Sequence, residues 1–334
     1  MGTSSPFISV IIPVKEHTYY LLHENLPAFN KQTYKNFEVL VMVNEHSQYD
    51  LTLLKQYPWL RIIPTGKITR PAQKRDIGAQ KAKGDYLAFI DDDAYPQNDW
   101  LTQAAAIAKQ HKLACVCGPG ILPPKSSFWE KVFDSLLVST IGSGTYAYRF
   151  TQKKERTVDD YPSMNFFITK KLFNTIGGFN NDYWPGEDSK LCNDIVYTLK
   201  QHIYYSPRIV VYHHRRDDLL RYLRQHGNYG YHRGAFAAVG DKNSLKLGYM
   251  IPSLFLIYCV TLPVMSAITA LWSIPALLYS AIAVTLTLQT LIAKKNVGVA
   301  LSVPIVLFLT HITYGAAFIK GVVVGLTKKG TIYR

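Results

Sequence analysis

Cysteine is scarce in this 334-residue chain: Cys115, Cys117, Cys192 and Cys259, of which only the first two are near neighbours. No pair has structural-zinc spacing and the count is too low for a disulfide scaffold, so the chemistry-bearing part belongs in a reducing compartment. No signal peptide is expected at this start, because MGTSSPFISVIIP has no basic region followed by a long apolar stretch. Neither GxGxxG nor GxxxxGK[ST] follows the first apolar run, which disfavours a dinucleotide fold and a P-loop. Acidic residues are few, 23 against 37 Lys and Arg, for a net charge of +14. That surplus suits an anionic partner: nucleic acid, a phosphorylated substrate or the inner face of a membrane. No nucleic-acid reader motif is present, so no nucleic-acid partner is expected.

Charge disappears between Leu247 and Ala293, 47 positions without Asp, Glu, Lys, Arg or His. One membrane span needs roughly 20 apolar residues, so this run is long enough for two. Pro275 in LWSIP marks a tight hairpin, because proline begins a helix readily and sits inside one with difficulty. A second stretch, Asn296 to Ile319, is interrupted only by His311. Three membrane helices are expected, over 248–270, 274–293 and 297–319. With the N-terminal domain inside, Lys294 and Lys295 also fall inside, as the positive-inside rule asks. Three spans set Lys328, Lys329 and Arg334 outside, against that rule, unless the last segment does not span fully.

Before residue 246 the pattern alternates. FISVIIP (7–13), NFEVLVMV (36–43), LRIIP (60–64), YLAFI (86–90) and LACVCG (113–118) read as buried strands, with helix-length segments between them. This order predicts an α/β domain with a mainly parallel, doubly wound sheet, followed by a helical membrane domain. Ligands bind such sheets beyond the carboxyl ends of the strands. Asp91, Asp92 and Asp93 sit at one of those ends. Three adjacent acids repel one another, and their grouping there points to a cation that neutralises them.

Other segments carry chemistry more weakly. In TRPAQKRDIG, Arg70 precedes a helix begun by Pro71, whose first turns carry Arg75 and Asp76; a basic residue there can meet phosphate, and Asp76 can hydrogen-bond a base or ribose. In YWPGEDSKL, Pro185-Gly186 reads as a turn and Glu187-Asp188 as the start of a helix, where the dipole favours carboxylates. Beside a metal-nucleotide site, one of this pair is the natural base for an acceptor hydroxyl. His213 is a metal ligand, a diphosphate contact or a structural histidine. Residues 200–246 hold nine Lys and Arg against three acids. With Leu219, Leu220, Tyr222 and Leu223 as an apolar stripe, 215–246 is expected to form an amphipathic basic helix lying on an anionic membrane surface.

Taken in order, ISVIIPVKE, RPAQKRDIGAQKAKGDYLAFIDDDAYP, GGFNNDYWPGEDSKLCNDI and YLRQHGNYGYHRG resemble the successive motifs of family 2 glycosyltransferases with the A-type nucleotide-sugar fold. The likeness covers about residues 7 to 240, which makes 1–214 the nucleotide-sugar domain and 247–334 the transmembrane domain. The apolar tail resembles the membrane-bound, succinoglycan-type branch that assembles exopolysaccharide. The resemblance implies transfer of a sugar from a nucleotide-diphosphate donor, usually UDP-linked, with inversion at the anomeric carbon. It implies Mg2+ or Mn2+ on Asp91 and Asp93, with His213 as the further candidate ligand. Donor contacts are expected from Pro13, Glu16, Glu45, Arg70, Arg75, Asp76, Asp91 and Asp92. Glu45 enters because VNEHSQYD stands where the family often has V-D-D-G-S. Asp188, the second acid of its pair, is the expected base, with Glu187 beside it.

The Gln-x-x-Arg-Trp of processive synthases is absent. Arg224, Gln225 and Tyr229 occupy the comparable region, on the acceptor or diphosphate side, which argues for adding one sugar. The resulting expectation is a multi-pass protein of the inner (plasma) membrane, its catalytic domain cytoplasmic, that extends a polyprenyl-linked acceptor for a surface polysaccharide. Transfer directly onto polyprenyl phosphate is one alternative. A non-catalytic subunit that binds nucleotide sugars is another, disfavoured by the intact acids at 91, 93 and 188.

Overall fold

The structure is a computed structural model that describes residues 5–15, 18–44, 55–179, 186–242 and 244–327. Glu16, Glu45, Pro185, Lys328, Lys329 and Arg334, all singled out above, lie outside those residues. The chain forms two compact units. One comprises Met1–Pro123 with Thr151–His214, the other Pro124–Phe150 with Arg215–Arg334. Residues 124–150 thus group with the C-terminal unit rather than completing a continuous 1–214 domain.

In the first unit, apolar, β-branched runs form β1 (Ile8–Pro13), β2 (Phe37–Val43), β3 (Leu60–Pro64) and β4 (Tyr86–Ile90). β1 and β2 are buried at every position, as a strand covered on both faces must be. Short strands follow: β5 (Ala94–Pro96), β6 (Cys115–Cys117), β7 (Gly120–Ile121), β8 (Arg156–Val158), β9 (Asn165–Thr169), β10 (Ile203–Tyr205) and β11 (Val211–His213). Eight of them make one sheet in the order β3-β2-β1-β4-β9-β6-β10-β8. The β3-β2-β1-β4 half is parallel, whereas β9 runs antiparallel between β4 and β6. The sheet is therefore mixed. A second sheet, β5-β11-β7, pairs β11 antiparallel to β5 with His213 opposite Ala94.

Helix α1 (Pro71–Lys81) follows β3. It can lie on the sheet because Gly78 has no side chain: a Cβ there would stand 2.6 Å from Ile11 Cγ2 and 3.2 Å from Met42 Sδ. Helix α2 (Trp100–Gln110) buries Trp100, Leu101, Ala104 and Ile107, and Trp100 Nε1 donates to fully buried Asn165 (2.9 Å).

The second unit contains α3 (Phe128–Val138), whose Ser127 and Glu130 form a reciprocal capping box. Among the described residues, three helices are long and apolar enough to cross a membrane. They are α7 (Leu247–Ile268), α8 (Ile274–Lys294) and α9 (Val297–Thr327), which follow α4 (Lys170–Ile176), α5 (Glu187–Asn193) and α6 (Leu219–Ala238) in the chain. Pro275 stands in the first turn of α8, but Pro252 and Pro263 lie inside α7 and Pro304 inside α9. These three prolines fall inside the expected spans, and the helices accommodate them. In apolar surroundings, neighbouring helices and local adjustment re-satisfy the backbone groups a proline frees.

Helix α6 (Leu219–Ala238) also departs from expectation. Its apolar stripe does not face outward to a membrane. Tyr222 stacks on Phe133 of α3 with centroids 4.0 Å apart, and Leu219 and Leu223 pack against the buried cluster that includes Val132, Leu136, Val303 and Leu307; of the stripe, Leu220 is 74% exposed. Further along, α6 presses against α9 through glycine. A Cβ at Gly234 would lie 2.1 Å from the Phe318 carbonyl oxygen, and one at Gly321 1.9 Å from that of Tyr231. Gly230-x-x-x-Gly234 and Gly321-x-x-x-Gly325 are the small-residue spacings that let helix backbones approach. Gly234→Ala should push the helices apart and destabilise this unit by roughly 1–3 kcal/mol. The check is a lower unfolding midpoint for purified protein in detergent, and an unchanged midpoint would contradict the packing.

A buried ion cluster anchors the same unit. The guanidinium of Arg215 donates to Asp134 (3.1 Å) and lies 5.1 Å from the Phe150 ring centre, while Lys294 Nζ donates to Asp134 from the end of α8 (2.9 Å).

Candidate functional site

The carboxylates at 91–93 emerge where β4 stops. From there the chain turns into β5, whose pairing with β11 brings in a residue 120 positions away: His213 Nε2 lies 3.1 Å from Asp93 Oδ1. His214 N–H donates to the Asp93 carbonyl (3.0 Å), which fixes the register. The His214 ring meets Glu24 Oε2 at 2.8 Å and stacks on Tyr20 at 4.0 Å, away from its neighbour's partner. Ligand atoms of Asp91, Asp93 and His213 all lie within 4.8 Å of one another. Two carboxylates and an imidazole in that space are a donor set that Mg2+ or Mn2+ accepts. These residues fit the divalent metal that the sequence motifs imply.

Arg75 departs from its expected role. It is not offered to a phosphate from a helix end; it is 4% exposed and sits among carboxylates. Its Nη2 donates to Asp91 Oδ1 at 2.7 Å, its Nη1 is 3.9 Å from Glu187 Oε1, and Phe179 covers it with the ring centre 5.6 Å away. Burial works against its charge, yet Asp91, then Asp188 and Glu187, hold its pKa above the ordinary value. One guanidinium thus joins the acids after β4 to the acidic pair of α5 (Glu187–Asn193).

Helix α5 is fixed from behind. Ser189 donates to Asp160 (2.9 Å), both buried, and Cys192 packs against Tyr161. Glu187 is buried and accepts from the Gly186 N–H at 3.0 Å. The Asp188 carboxyl is pushed well above the usual carboxylate range, first by burial and next by Glu187, against the opposing pull of Arg75 and Ser163. A raised carboxylate beside a buried cation is poised to exchange a proton near neutrality.

Other expected residues fall as follows. Pro13 is buried at the end of β1, in register with Met42. Arg70 is exposed at the N-cap of α1. Asp76 accepts the Phe179 N–H (2.8 Å) after α4 (Lys170–Ile176), so that oxygen anchors a loop rather than being left to a base or ribose. Gly178 there adopts φ +75, and a Cβ would stand 2.5 Å from Asp76 Oδ1, so the position demands glycine. Asp92 is pushed up to about 7 by burial and then by Asp93 and Asp91. Arg224, Gln225 and Tyr229 lie on α6 in the other unit, where Gln225 Nε2 donates to the Tyr229 hydroxyl (3.1 Å).

Lys74 escaped the sequence reading. It is 1% exposed, and its ammonium donates to the Val14 and Met42 carbonyls and to Asn44 Oδ1 (2.7 Å), tying the ends of β1 and β2 together. Burial pulls its pKa down to about 8, with Asp92 opposing.

Residues 9–177 match the family described as Glycosyl transferase family 2. The chain belongs to that family. It is 24% identical over 332 residues, covering 96% of this chain and 98% of the relative, to the Methanococcus voltae dolichyl N-acetyl-alpha-D-glucosaminyl phosphate 3-beta-D-2,3-diacetamido-2,3-dideoxy-beta-D-glucuronosyltransferase. Glycosyltransferase AglE of Haloferax volcanii is 25% identical over 215 residues, 60% of this chain and 65% of that protein. Among solved structures, the mannosyltransferase PcManGT from Pyrobaculum calidifontis, in complex with GDP-Man and Mn2+, matches with TM-score 0.56 at 17% identity. That match spans 96% of this chain and 88% of the other, and it shows the fold. This family 2 member is accordingly a glycosyltransferase, with a mixed α/β sheet and helices able to span a membrane.

Proposed function

We propose that this glycosyltransferase moves a sugar from a nucleotide-diphosphate donor, UDP-linked in the first instance, to a hydroxyl of a polyprenyl-linked sugar, with inversion at the anomeric carbon. The observation that carries the reading is the buried Arg75, which links the Asp91 carboxylate to the Glu187–Asp188 pair. Asp91, Asp93 and His213 would hold Mg2+ or Mn2+, which when bound offsets the charge of the departing diphosphate. Arg75 occupies one oxygen of Asp91 and so orients the other. Asp188 takes the proton of the attacking hydroxyl, and its raised pKa suits it to do so near neutral pH. The Asp160–Ser189 bond holds α5, and with it that carboxylate, in place.

A hydroxyl acceptor is supported by the Methanococcus voltae relative, whose name describes transfer to a dolichyl-phosphate-linked sugar. A phosphate acceptor is already ionised and needs no base, which leaves Asp188 unexplained. The reading places the protein in the inner (plasma) membrane, with the sugar-transfer unit on the cytoplasmic side. Lys294, the last residue of α8, and Lys295 after it support that orientation. The experiment is transfer from radiolabelled nucleotide sugars onto extracted lipids, with a donor panel. Label in a lipid-linked oligosaccharide supports the proposal; donor binding without transfer would favour a silent subunit.

A further inference from the structure

The second unit carries a cation cluster that the sugar-transfer chemistry does not use. Tyr146 and Tyr249 stack with centroids 5.6 Å apart and planes 10° from parallel. Arg149 lies over Tyr146 (4.6 Å), Arg233 over Tyr249 (4.7 Å), and Lys246 near Tyr146 (5.9 Å). Three stretches far apart in sequence supply these groups: the 3-10 turn Gly144–Arg149, α6, and the first residues of α7. All five side chains are partly exposed. Stacking engages the flat face of a guanidinium, and its N–H edge is the part that donates: Arg233 Nη1 meets Ser244 Oγ at 3.4 Å, and a fork of such donors suits a phosphoryl oxygen.

Charge balance sharpens the point. The unit holds five acidic residues: Glu130, Asp134, Asp217, Asp218 and Asp241. Asp134 meets Arg215 and Lys294, Glu130 accepts from the backbone of Ser127 and Arg215, and Asp217 and Asp218 meet Arg221. Within the unit, Asp241 is the acid left over from those pairs, against the three cations gathered on the two rings. It also lies where the chain becomes lipophilic. Lys246 precedes α7, and Leu247 (68% exposed) and Ile251 (52%) begin that helix's outward apolar face.

We propose that Arg149, Arg233 and Lys246, carried on Tyr146 and Tyr249, form a site for the phosphate or diphosphate of a polyprenyl-linked lipid, with the isoprenoid chain along the outward face of α7. The assignment rests on the lipid-acceptor reading above and gives that acceptor a headgroup site. Full-length protein in phosphatidylcholine nanodiscs is titrated with farnesyl phosphate, with farnesol, and with inorganic pyrophosphate, against empty nanodiscs. Farnesyl phosphate should bind tightest, with farnesol lacking the phosphate and pyrophosphate lacking the chain. Arg149→Gln and Lys246→Gln should each weaken it by about tenfold, and Arg233→Lys should weaken it less than Arg233→Gln. Preserved UDP–metal affinity and melting transition show that the variants fold. Equal binding of farnesol, equal binding of pyrophosphate, or farnesyl phosphate affinity unchanged in both Gln variants would each overturn the site. If the variants lose farnesyl phosphate but the enzyme labels only a lipid-free acceptor, the site stands and the acceptor reading falls.

Discussion

Asp188→Asn should lower turnover by roughly 10²–10⁴-fold, the range a positioned general base contributes, while UDP–metal affinity persists. The amide keeps the shape of the carboxyl and removes its basicity. Its neighbours make the effect specific. Burial and Glu187 hold the Asp188 pKa up, so the ionised base appears only as pH rises through that raised value. Wild-type kcat/KM should therefore fall on the acid side at a pH well above the ordinary carboxylate range, and the variant should lose that limb. The same shift fixes the sign of the stability change. Ionised Asp188 is costlier in the folded than in the unfolded chain, so its contribution to stability declines as pH rises between the two pKa values. The substitution removes that cost, and the melting midpoint at neutral pH should be no lower than wild type. Near-normal turnover would shift the role to Glu187 or to an acceptor that needs no base.

Asp93→Ala should abolish metal-dependent donor binding, an effect larger than the roughly 10–100-fold that loss of an outer-shell partner costs. Asp93 is a cleaner probe than Asp91. Removing the Asp91 carboxyl would strip Arg75, buried at 4% exposure, of its closest partner and put the fold at risk. The Asp93 side chain meets His213, whereas its backbone carbonyl, which accepts from His214, is untouched by the change. Calorimetry with UDP in the presence and absence of Mn2+ is the measurement. An unchanged metal dependence would remove Asp93 from the site.

Much of this architecture was legible in local sequence. Apolar runs ending in Pro13, Val43 and Ile90 marked strands, and the carboxylates after the last of them marked a candidate metal site, because strand burial and strand ends are local signals. Three apolar, membrane-capable helices were legible for the same reason, the first two to within two residues, whereas α9 runs on to Thr327, eight residues past the expected end at 319. What escaped depends on tertiary pairing. His213 was legible as a candidate ligand, but its place beside Asp93 was not: that comes from the antiparallel register of β11 against β5, and nothing within several residues of it reports that register. Arg75 looked like a surface cation at a helix start; α1 turns it inward because Gly78 lets the helix sit on Ile11 and Met42. The α6 stripe looked membrane-facing because charge and apolarity alternate there, but protein covers it. The paired G-x-x-x-G spacings at 230–234 and 321–325 were the available sign of that contact.

The central claim joins a hydroxyl acceptor, a carboxylate base and inversion, and one measurement tests all three: the anomeric configuration and linkage of the transferred sugar, read by NMR on the lipid-linked product. From an α-linked nucleotide sugar the account predicts a β-glycosidic bond to a sugar hydroxyl. An α-glycoside, or a sugar attached directly to phosphate, would contradict it.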